Sequence, residues 1–138
     1  GLYESAKRLH GYPITPGFEV AGRIAALGDG VQGWQIGDAV IGLTLFRGYT
    51  SHLCLPVDRV FRLPERLSIE QGAALPTVFL TAWFMVEELL RWHPGDRWLV
   101  HSAAGGVGSA LAQLGRLAGC EVVGVIGSAH KRETALAM

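Results

Sequence analysis

A glycine-rich stretch between two apolar runs constrains the fold of this chain more than any other feature. The first run, at residues 97–100, leads through a turn of small residues into a helical pattern, and a second apolar run follows at residues 121–126. This order predicts a βαβ unit whose first turn suits the pyrophosphate of a dinucleotide. The dinucleotide fingerprint fits Ala103, Gly105 and Gly108, with alanine at its first glycine position.

The residues alone allow two interpretations of this turn. N–H groups at the start of the helix, around Gly106 and Val107, lack intrahelical partners and suit a phosphate oxygen. Gly105 and Gly106 would let a ligand approach the backbone, and Gly108 would let helix and strand pack closely. Alternatively, the glycines only close a tight connection between a strand and a helix.

The residues that follow the second strand favour NADP over NAD. An NAD site typically has an acidic residue here, which accepts a hydrogen bond from the ribose 2′-hydroxyl. Positions 127–130 contain no Asp or Glu, whereas Ser128, Lys131 and Arg132 offer a hydroxyl and two cations. That set suits a 2′-phosphate. The alternative is a group of solvated charges on a helical first turn, although the helix dipole disfavours cations there.

The rest of the pattern predicts a β-rich module in front of this unit. After an irregular segment at residues 1–17, strands are expected at residues 18–27, 38–43, 49–55 and 59–63. A capping box at Ser68 and Gln71 marks the change to helical spacing. Helices are expected at residues 68–76, 77–91, 106–117 and 129–138. The fold class is therefore mixed β and α/β, with the change of pattern near residues 67–75.

Composition excludes several classes of function. Twelve basic and twelve acidic residues among 138 give a net charge of +0, so no nucleic-acid or membrane partner is expected. No apolar run approaches the ~20 residues of a membrane span. Cys54 and Cys120 are expected to be reduced thiols of a cytoplasmic protein. The five histidines lack metal-ligand spacing, so no metal is expected.

Several ordered motifs resemble the medium-chain dehydrogenase/reductase superfamily, within its zinc-free quinone oxidoreductase (zeta-crystallin-like) and enoyl reductase branch. These motifs are Pro16-Gly17-Phe18-Glu19-Val20-Ala21-Gly22, Gly37-Asp38-Ala39-Val40, Ala73-Ala74-Leu75-Pro76, Leu80-Thr81-Ala82-Trp83, Val100 to Gly108, and Gly127-Ser128 with Lys131. The resemblance implies that residues 1–72 are part of a GroES-like module. It also implies that residues 73–138 are part of an NADP-binding Rossmann module, incomplete after its first βαβ unit.

The resemblance further implies a cofactor site and a chemistry. The residues expected to bind NADP are Thr81 beside the nicotinamide, Ala104, Gly105, Gly106 and Val107 at the pyrophosphate, and Ser128 and Lys131 at the 2′-phosphate. Phe18 stands where zinc-dependent dehydrogenases of the superfamily carry a metal-binding histidine. Catalysis without zinc is therefore expected, and no catalytic residue is identified.

The expected function is zinc-independent, NADPH-dependent reduction of quinones, enones or enoyl thioesters by hydride transfer, with this chain carrying part of the active site. Family members are longer, and a two-stranded parallel sheet cannot cover both of its faces. We therefore expect either a fragment of a longer reductase or a short form that pairs its subunits. Trp83, Phe84 and the open sheet favour a homo-oligomer. The alternative is a catalytically inactive, truncated relative that acts as an assembly or nucleotide-binding module.

Overall fold

The structure is a computed structural model that describes residues 4–137, and the chain divides into two compact units. The first unit is Gly1–Pro76 and the second is Thr77–Met138. Among residues 4–137, no helix combines the length and the hydropathy that crossing a bilayer requires.

The first unit is built around an antiparallel sheet. Its elements are α1 (Glu4–Leu9), β1 (Glu19–Arg23), β2 (Ala39–Leu43), a 3₁₀ turn (Val57–Arg59), β3 (Val60–Arg62) and α2 (Ile69–Ala73). The central strand is β2, and Glu19 of β1 pairs with Leu43 of β2. The helix α2 packs on this sheet through Gly72, where a Cβ would lie 3.0 Å from the Ile41 side chain and 3.4 Å from that of Ala21.

The second unit contains the predicted βαβ arrangement. Its elements are α3 (Pro76–Phe84), a π-helical turn (Met85–Leu89), β4 (Arg97–Val100), α4 (Gly106–Leu117), β5 (Glu121–Gly124), a 3₁₀ turn (Ala129–Lys131) and α5 (Arg132–Leu136). Strands β4 and β5 pair in parallel, with Arg97 opposite Glu121 and Val100 opposite Gly124. The prediction of a mixed fold with an incomplete parallel sheet is therefore confirmed.

Small residues bring α4 onto one face of the parallel sheet. A Cβ on Gly115 would lie 2.7 Å from Trp98 Cε3 and 2.8 Å from Val122 Cγ2, so only glycine fits at this position. On the opposite face, Leu99 stands opposite Val123, and these side chains are 63% and 46% exposed. The single crossover helix therefore covers one face and leaves the other open.

Two local expectations are wrong, and a third is confirmed with a change of helix type. Residues 49–55 form no strand, because the N–H groups of Gly48 and Tyr49 donate to the carbonyls of Gly17 and Pro16 at 3.0 and 2.9 Å instead of joining the sheet. The segment before residue 17, expected to be irregular, contains the helix α1. Its first turn has Glu4 and its last turn has Lys7 and Arg8, an arrangement of charges that the helix dipole favours. The helix expected over residues 77–91 is present as α3 and the π-helical turn that continues it to Leu89, with Leu90 N–H donating to Met85 O at 3.0 Å. Residues 1–3 and 138 lie outside the described residues.

The predicted capping box of α2 is confirmed. Ser68 Oγ accepts from the Gln71 N–H at 3.2 Å, and Gln71 Oε1 accepts from the Ser68 N–H at 2.9 Å. Hydrogen bonds from the backbone N–H of Glu70 and from the Ser68 hydroxyl lower the pKa of the Glu70 carboxyl. The start of α2 is thus stabilised by the reciprocal pair and by one ionised carboxylate near the positive end of the dipole.

We expect Ser68→Ala to lower the free energy of unfolding by about 1 kcal/mol at neutral pH, because it removes the cap. The Glu70 contribution is present above the unfolded pKa of a glutamate and is lost as the pH falls through the lowered folded pKa. The difference in the free energy of unfolding between Ser68→Ala and wild type should therefore become smaller at acidic pH. Urea unfolding at several pH values measures both effects. Ser51→Ala, which removes an exposed hydroxyl from a loop, is the control and should change stability by less than about 0.5 kcal/mol.

Candidate functional site

The glycine-rich turn lies at the carboxyl edge of the parallel sheet. The Val125 N–H donates to the Val100 carbonyl at 2.8 Å, and the Ala103 N–H donates to the Val125 carbonyl at 3.0 Å. These two bonds fasten the turn to the residue that follows β5. Open α/β sheets bind their ligands at this edge, because the N-termini of their crossover helices lie there.

The start of α4 presents backbone donors that suit an anion. Gly105 is the N-cap in extended geometry, with φ −92° and ψ 171°, and its N–H donates to Ser102 O at 2.7 Å inside the turn. The N–H groups of Gly106 and Val107 belong to the first helical turn, where an α-helix provides no intrahelical acceptor. Among the predicted pyrophosphate residues, Gly106 and Val107 therefore supply donors, while the Gly105 N–H holds the turn together.

The glycines of this turn are required for different reasons. Gly105 is exposed, so its missing side chain leaves the entrance open. A Cβ on Gly106 would lie 2.9 Å from Val78 Cγ1 of α3, so this space is filled by the protein rather than kept for a ligand, contrary to the expectation. A Cβ on Gly108 would overlap the carbonyl oxygen of Ser102 and lie 3.0 Å from Ala103 Cα. The close packing predicted for Gly108 is therefore made with the backbone of the turn.

Thr81 lies on the helix that packs against this turn. Val78, whose side chain meets Gly106, precedes Thr81 by three residues on α3, so the two share one side of the helix. The Thr81 hydroxyl is half-buried and donates to the Thr77 carbonyl at 2.6 Å. Thr81 therefore lies about one helical turn from the residue that contacts Gly106.

Ser128 and Lys131 lie together on one turn beyond β5. The Lys131 N–H donates to the Ser128 carbonyl at 3.1 Å and closes the 3₁₀ turn Ala129–Lys131. Within the described chain, the Ser128 hydroxyl makes no capping bond to this turn, and the Lys131 side chain is exposed. The Ser128 hydroxyl and the Lys131 ammonium are therefore both available to an anion. They follow Val125, which holds the glycine-rich turn, by three and six residues.

Phe18 makes an aromatic contact in the first unit. Its ring packs on Phe46 at 5.2 Å between centroids, and the edge of His10 meets Phe46 at 5.3 Å. Gly17 and Gly48 allow the two backbone segments to cross here, because a Cβ on Gly17 would lie 2.7 Å from Gly48 Cα. Across residues 4–137, no three His, Cys, Asp or Glu side chains are grouped as metal ligands.

Two features of the site were not found from the sequence. Val78 falls within the helix expected over residues 77–91, but its contact with Gly106 depends on where α3 lies. Ser102 adopts a left-handed φ of 53°, which few residues other than glycine adopt. A serine before Ala103 and Ala104 gave no signal of this geometry.

The comparison with known proteins identifies the family. Residues 2–74 match the model of the alcohol dehydrogenase GroES-like domain. The chain belongs to the medium-chain dehydrogenase/reductase superfamily, in its quinone oxidoreductase-like branch, as the ordered motifs predicted.

Three similar proteins illustrate the relationship. The mouse (Mus musculus) synaptic vesicle membrane protein VAT-1 homolog-like is 43% identical over 102 residues, which are 74% of this chain and 24% of that protein. The CurK enoyl reductase structure is 38% identical with a TM-score of 0.87, and the match covers 96% of this chain and 41% of that one. The Escherichia coli quinone oxidoreductase complexed with NADPH is 31% identical with a TM-score of 0.82, over 91% of this chain and 39% of that one.

The chain therefore spans about a quarter to two fifths of the length of these relatives. Two of these three proteins are oxidoreductases by name, an enoyl reductase and a quinone oxidoreductase.

We expect Gly108→Ala to destabilise the second unit by about 1–3 kcal/mol, because the new Cβ meets a backbone carbonyl that no rotamer change can move. Urea unfolding followed by circular dichroism measures the change. Gly127→Ala is the matched control, since no heavy atom of the described chain lies within 4 Å of its Cβ position. It should be neutral or stabilise by up to about 1 kcal/mol. Equal stability of the two variants would contradict the packing role of Gly108.

Proposed function

We propose that this chain is part of a zinc-independent, NADPH-dependent oxidoreductase that reduces quinones, enones or enoyl thioesters by hydride transfer. The observation that carries the proposal is the start of α4, where the Gly106 and Val107 N–H groups belong to the first helical turn and follow a loop fastened to both parallel strands. The names of the relatives support the substrate classes, since one is a quinone oxidoreductase and another an enoyl reductase.

The residues of the second unit suit NADP in charge and in hydrogen-bonding groups. Gly106 and Val107 would donate to the pyrophosphate at the positive end of the α4 dipole. Ser128 would donate to the 2′-phosphate, and the exposed Lys131 would neutralise part of its charge. Ala104 and Gly105 would border the pyrophosphate, and Thr81 would lie beside the nicotinamide.

When bound, the reduced nicotinamide supplies the hydride. The residues of this chain would bind and orient the two partners, because hydride transfer depends on the alignment of donor and acceptor. Phe18, which has no metal-binding atom, would replace the metal ligand of the zinc enzymes with an aromatic wall that rests on Phe46. In this proposal, residues 1–72 act as the GroES-like substrate module and residues 73–138 as the NADP-binding module.

The proposal extends to location and assembly. Cys54 and Cys120 are both free thiols, and Cys54 is exposed, which suits a reducing compartment such as the cytoplasm. The exposed pair Leu99 and Val123 leaves one sheet face uncovered, and Trp83 and Phe84 are about half exposed on α3. Apolar surface of this kind favours self-association, so we propose a homo-oligomer.

We expect NADPH to raise the melting temperature, and Lys131→Ala to weaken its binding roughly tenfold by removing one charge-assisted contact. The loss should be specific to NADPH, with NADH unaffected, because only NADPH has the 2′-phosphate. Lys7→Ala, which removes the other lysine of the chain from α1, is the control and should bind NADPH like wild type. Differential scanning fluorimetry with both dinucleotides measures these shifts.

The same titration separates the proposal from the alternative of an inactive module. If millimolar NADPH leaves the melting temperature unchanged, the second unit is not a cofactor site, and an assembly role is favoured. If Lys131→Ala weakens NADH and NADPH equally, the assignment of the 2′-phosphate contact is wrong.

Turnover requires its own measurement. We expect NADPH oxidation, followed by its absorbance, in the presence of a simple quinone or a simple enone. The rate should be insensitive to chelators if zinc takes no part. A chelator that abolishes turnover, with activity restored by zinc, would contradict the zinc-independent mechanism.

A further inference from the structure

We propose that a groove in the first unit binds a planar, electron-rich aromatic molecule of the phenol or indole type. The groove has a volume of about 530 Å³ and is lined by residues between Val20 and Val60, so it lies wholly within this unit. Cavities of this size and apolar character bind small organic molecules. The inference goes beyond the proposed function, because the groove includes none of the residues that are expected to bind NADP.

The floor of the groove is the face of the antiparallel sheet that lies opposite α2. Ala21 is on the α2 side, because its Cβ is 3.4 Å from the Cβ position of Gly72. Successive strand residues point to opposite faces, so Gly22 faces the groove. No heavy atom of the described chain lies within 4 Å of the Cβ position of Gly22. The strand β1 therefore presents bare backbone to an open space.

A second glycine on the same face shows that the open space at Gly22 is particular to that residue. Gly42 of β2 pairs with Val20, and a Cβ on Gly42 would lie 2.6 Å from Leu55 Cδ1. The chain itself fills the space at Gly42, whereas it leaves the space at Gly22 empty. The φ of Gly22 is not left-handed, so no turn requires glycine there. A glycine within a strand often marks a position that a ligand or another backbone approaches closely.

Trp34 forms one wall of the groove and indicates the kind of ligand. Its indole is half-buried, and the Arg62 guanidinium lies over it, with Cζ 4.7 Å from the ring centroid. The Asp38 carboxylate at 3.2 Å and the Gly33 carbonyl hold this guanidinium in place. Trp34 lines the groove and Arg62 does not, so the cation and the groove meet different parts of the indole. A cation over an aromatic ring withdraws electron density from it, so the indole would attract an electron-rich ring.

The remaining lining favours an uncharged ligand with one polar group. Among the described residues that line the groove there is no Asp or Glu. The only Arg or Lys of that set is Arg23, whose guanidinium donates to the Gly37 carbonyl at 2.9 Å. His52 also lines the groove, and its Nδ1 is 3.3 Å from the Ser51 hydroxyl. Its Nε2 is left for the hydroxyl of a phenol or the N–H of an indole.

The test follows the indole N–H signals of the four tryptophans in ¹⁵N-labelled protein during a titration without dinucleotide. Trp34 is the only tryptophan of the first unit, and Trp34→Leu assigns its signal by removing it. The probe is 2-naphthol. Its controls are decahydro-2-naphthol, which is saturated and not planar, and 2-naphthonitrile, which is planar and electron-poor.

We expect 2-naphthol to move the Trp34 signal and no other indole signal, with a dissociation constant on the order of 0.1–1 mM. Each control compound should bind roughly three- to tenfold more weakly, as expected for a lost or weakened aromatic contact. This comparison uses wild type alone, so it does not depend on the folding of any variant.

Two variants separate the floor of the groove from its wall. Gly22→Val should abolish measurable binding of 2-naphthol, because its side chain occupies the open space, and valine suits a strand. Gly127→Val is the matched control, since the Cβ position of Gly127 also has no heavy atom of the described chain within 4 Å, but lies in the other unit. It should bind like wild type.

Arg62→Met removes the cation and should abolish the preference for 2-naphthol over 2-naphthonitrile. Arg59→Met, which removes an exposed arginine of the 3₁₀ turn in the same unit, should keep the preference. The melting temperatures establish that each variant is folded.

Several results would overturn the proposal. One is that 2-naphthol moves no indole signal, as expected if a strand of another chain occupies the groove. Another is that it moves the signals of the other three tryptophans instead. Equal binding of 2-naphthol and either control compound to wild type would contradict the aromatic chemistry, and wild-type affinity in Gly22→Val would contradict the site. None of these results depends on NADPH, so the proposed function is tested separately.

Discussion

The close contact between Gly108 and the Ser102 carbonyl is the constraint on which the second unit depends. Glycine at position 108 lets the first turn of α4 lie directly on the backbone of the loop that leads into it. The loop can then be held by the Ala103 and Val125 hydrogen bonds, and the helix N-terminus comes to the carboxyl edge of the sheet. The electrostatic character of the site follows from this position, because the positive end of the α4 dipole lies at that edge.

A second set of close contacts sets the direction of α4. Gly115 rests on Trp98 and Val122, and Ala110 is fully buried, so the helix lies along the parallel pair at short range. The helix is thereby anchored at both of its ends, by Gly108 and by Gly115. The site gains rigidity from packing rather than from ion pairs, since the Arg97–Glu121 pair of these strands is exposed and contributes little.

Hydrogen-bond direction matters at this site as much as charge does. The Gly105 N–H and the Thr81 hydroxyl are both engaged by carbonyls of the protein, at 2.7 and 2.6 Å. The proposed function therefore relies on the donors of the first turn of α4, where the helix provides no intrahelical acceptor.

The sequence by itself determined the βαβ unit, the capping box and the family, because each depends on residues close together in the chain whose backbone preferences agree. It also indicated that Gly108 serves packing. Only the tertiary structure decided that Gly106 makes room for Val78, that Gly48 and Tyr49 donate to Gly17 and Pro16, and that the Thr81 hydroxyl is engaged. These three features depend on the packing of elements that are separate in the chain and on which carbonyl lies nearest to a donor. The local periodicity of the sequence encodes neither of these.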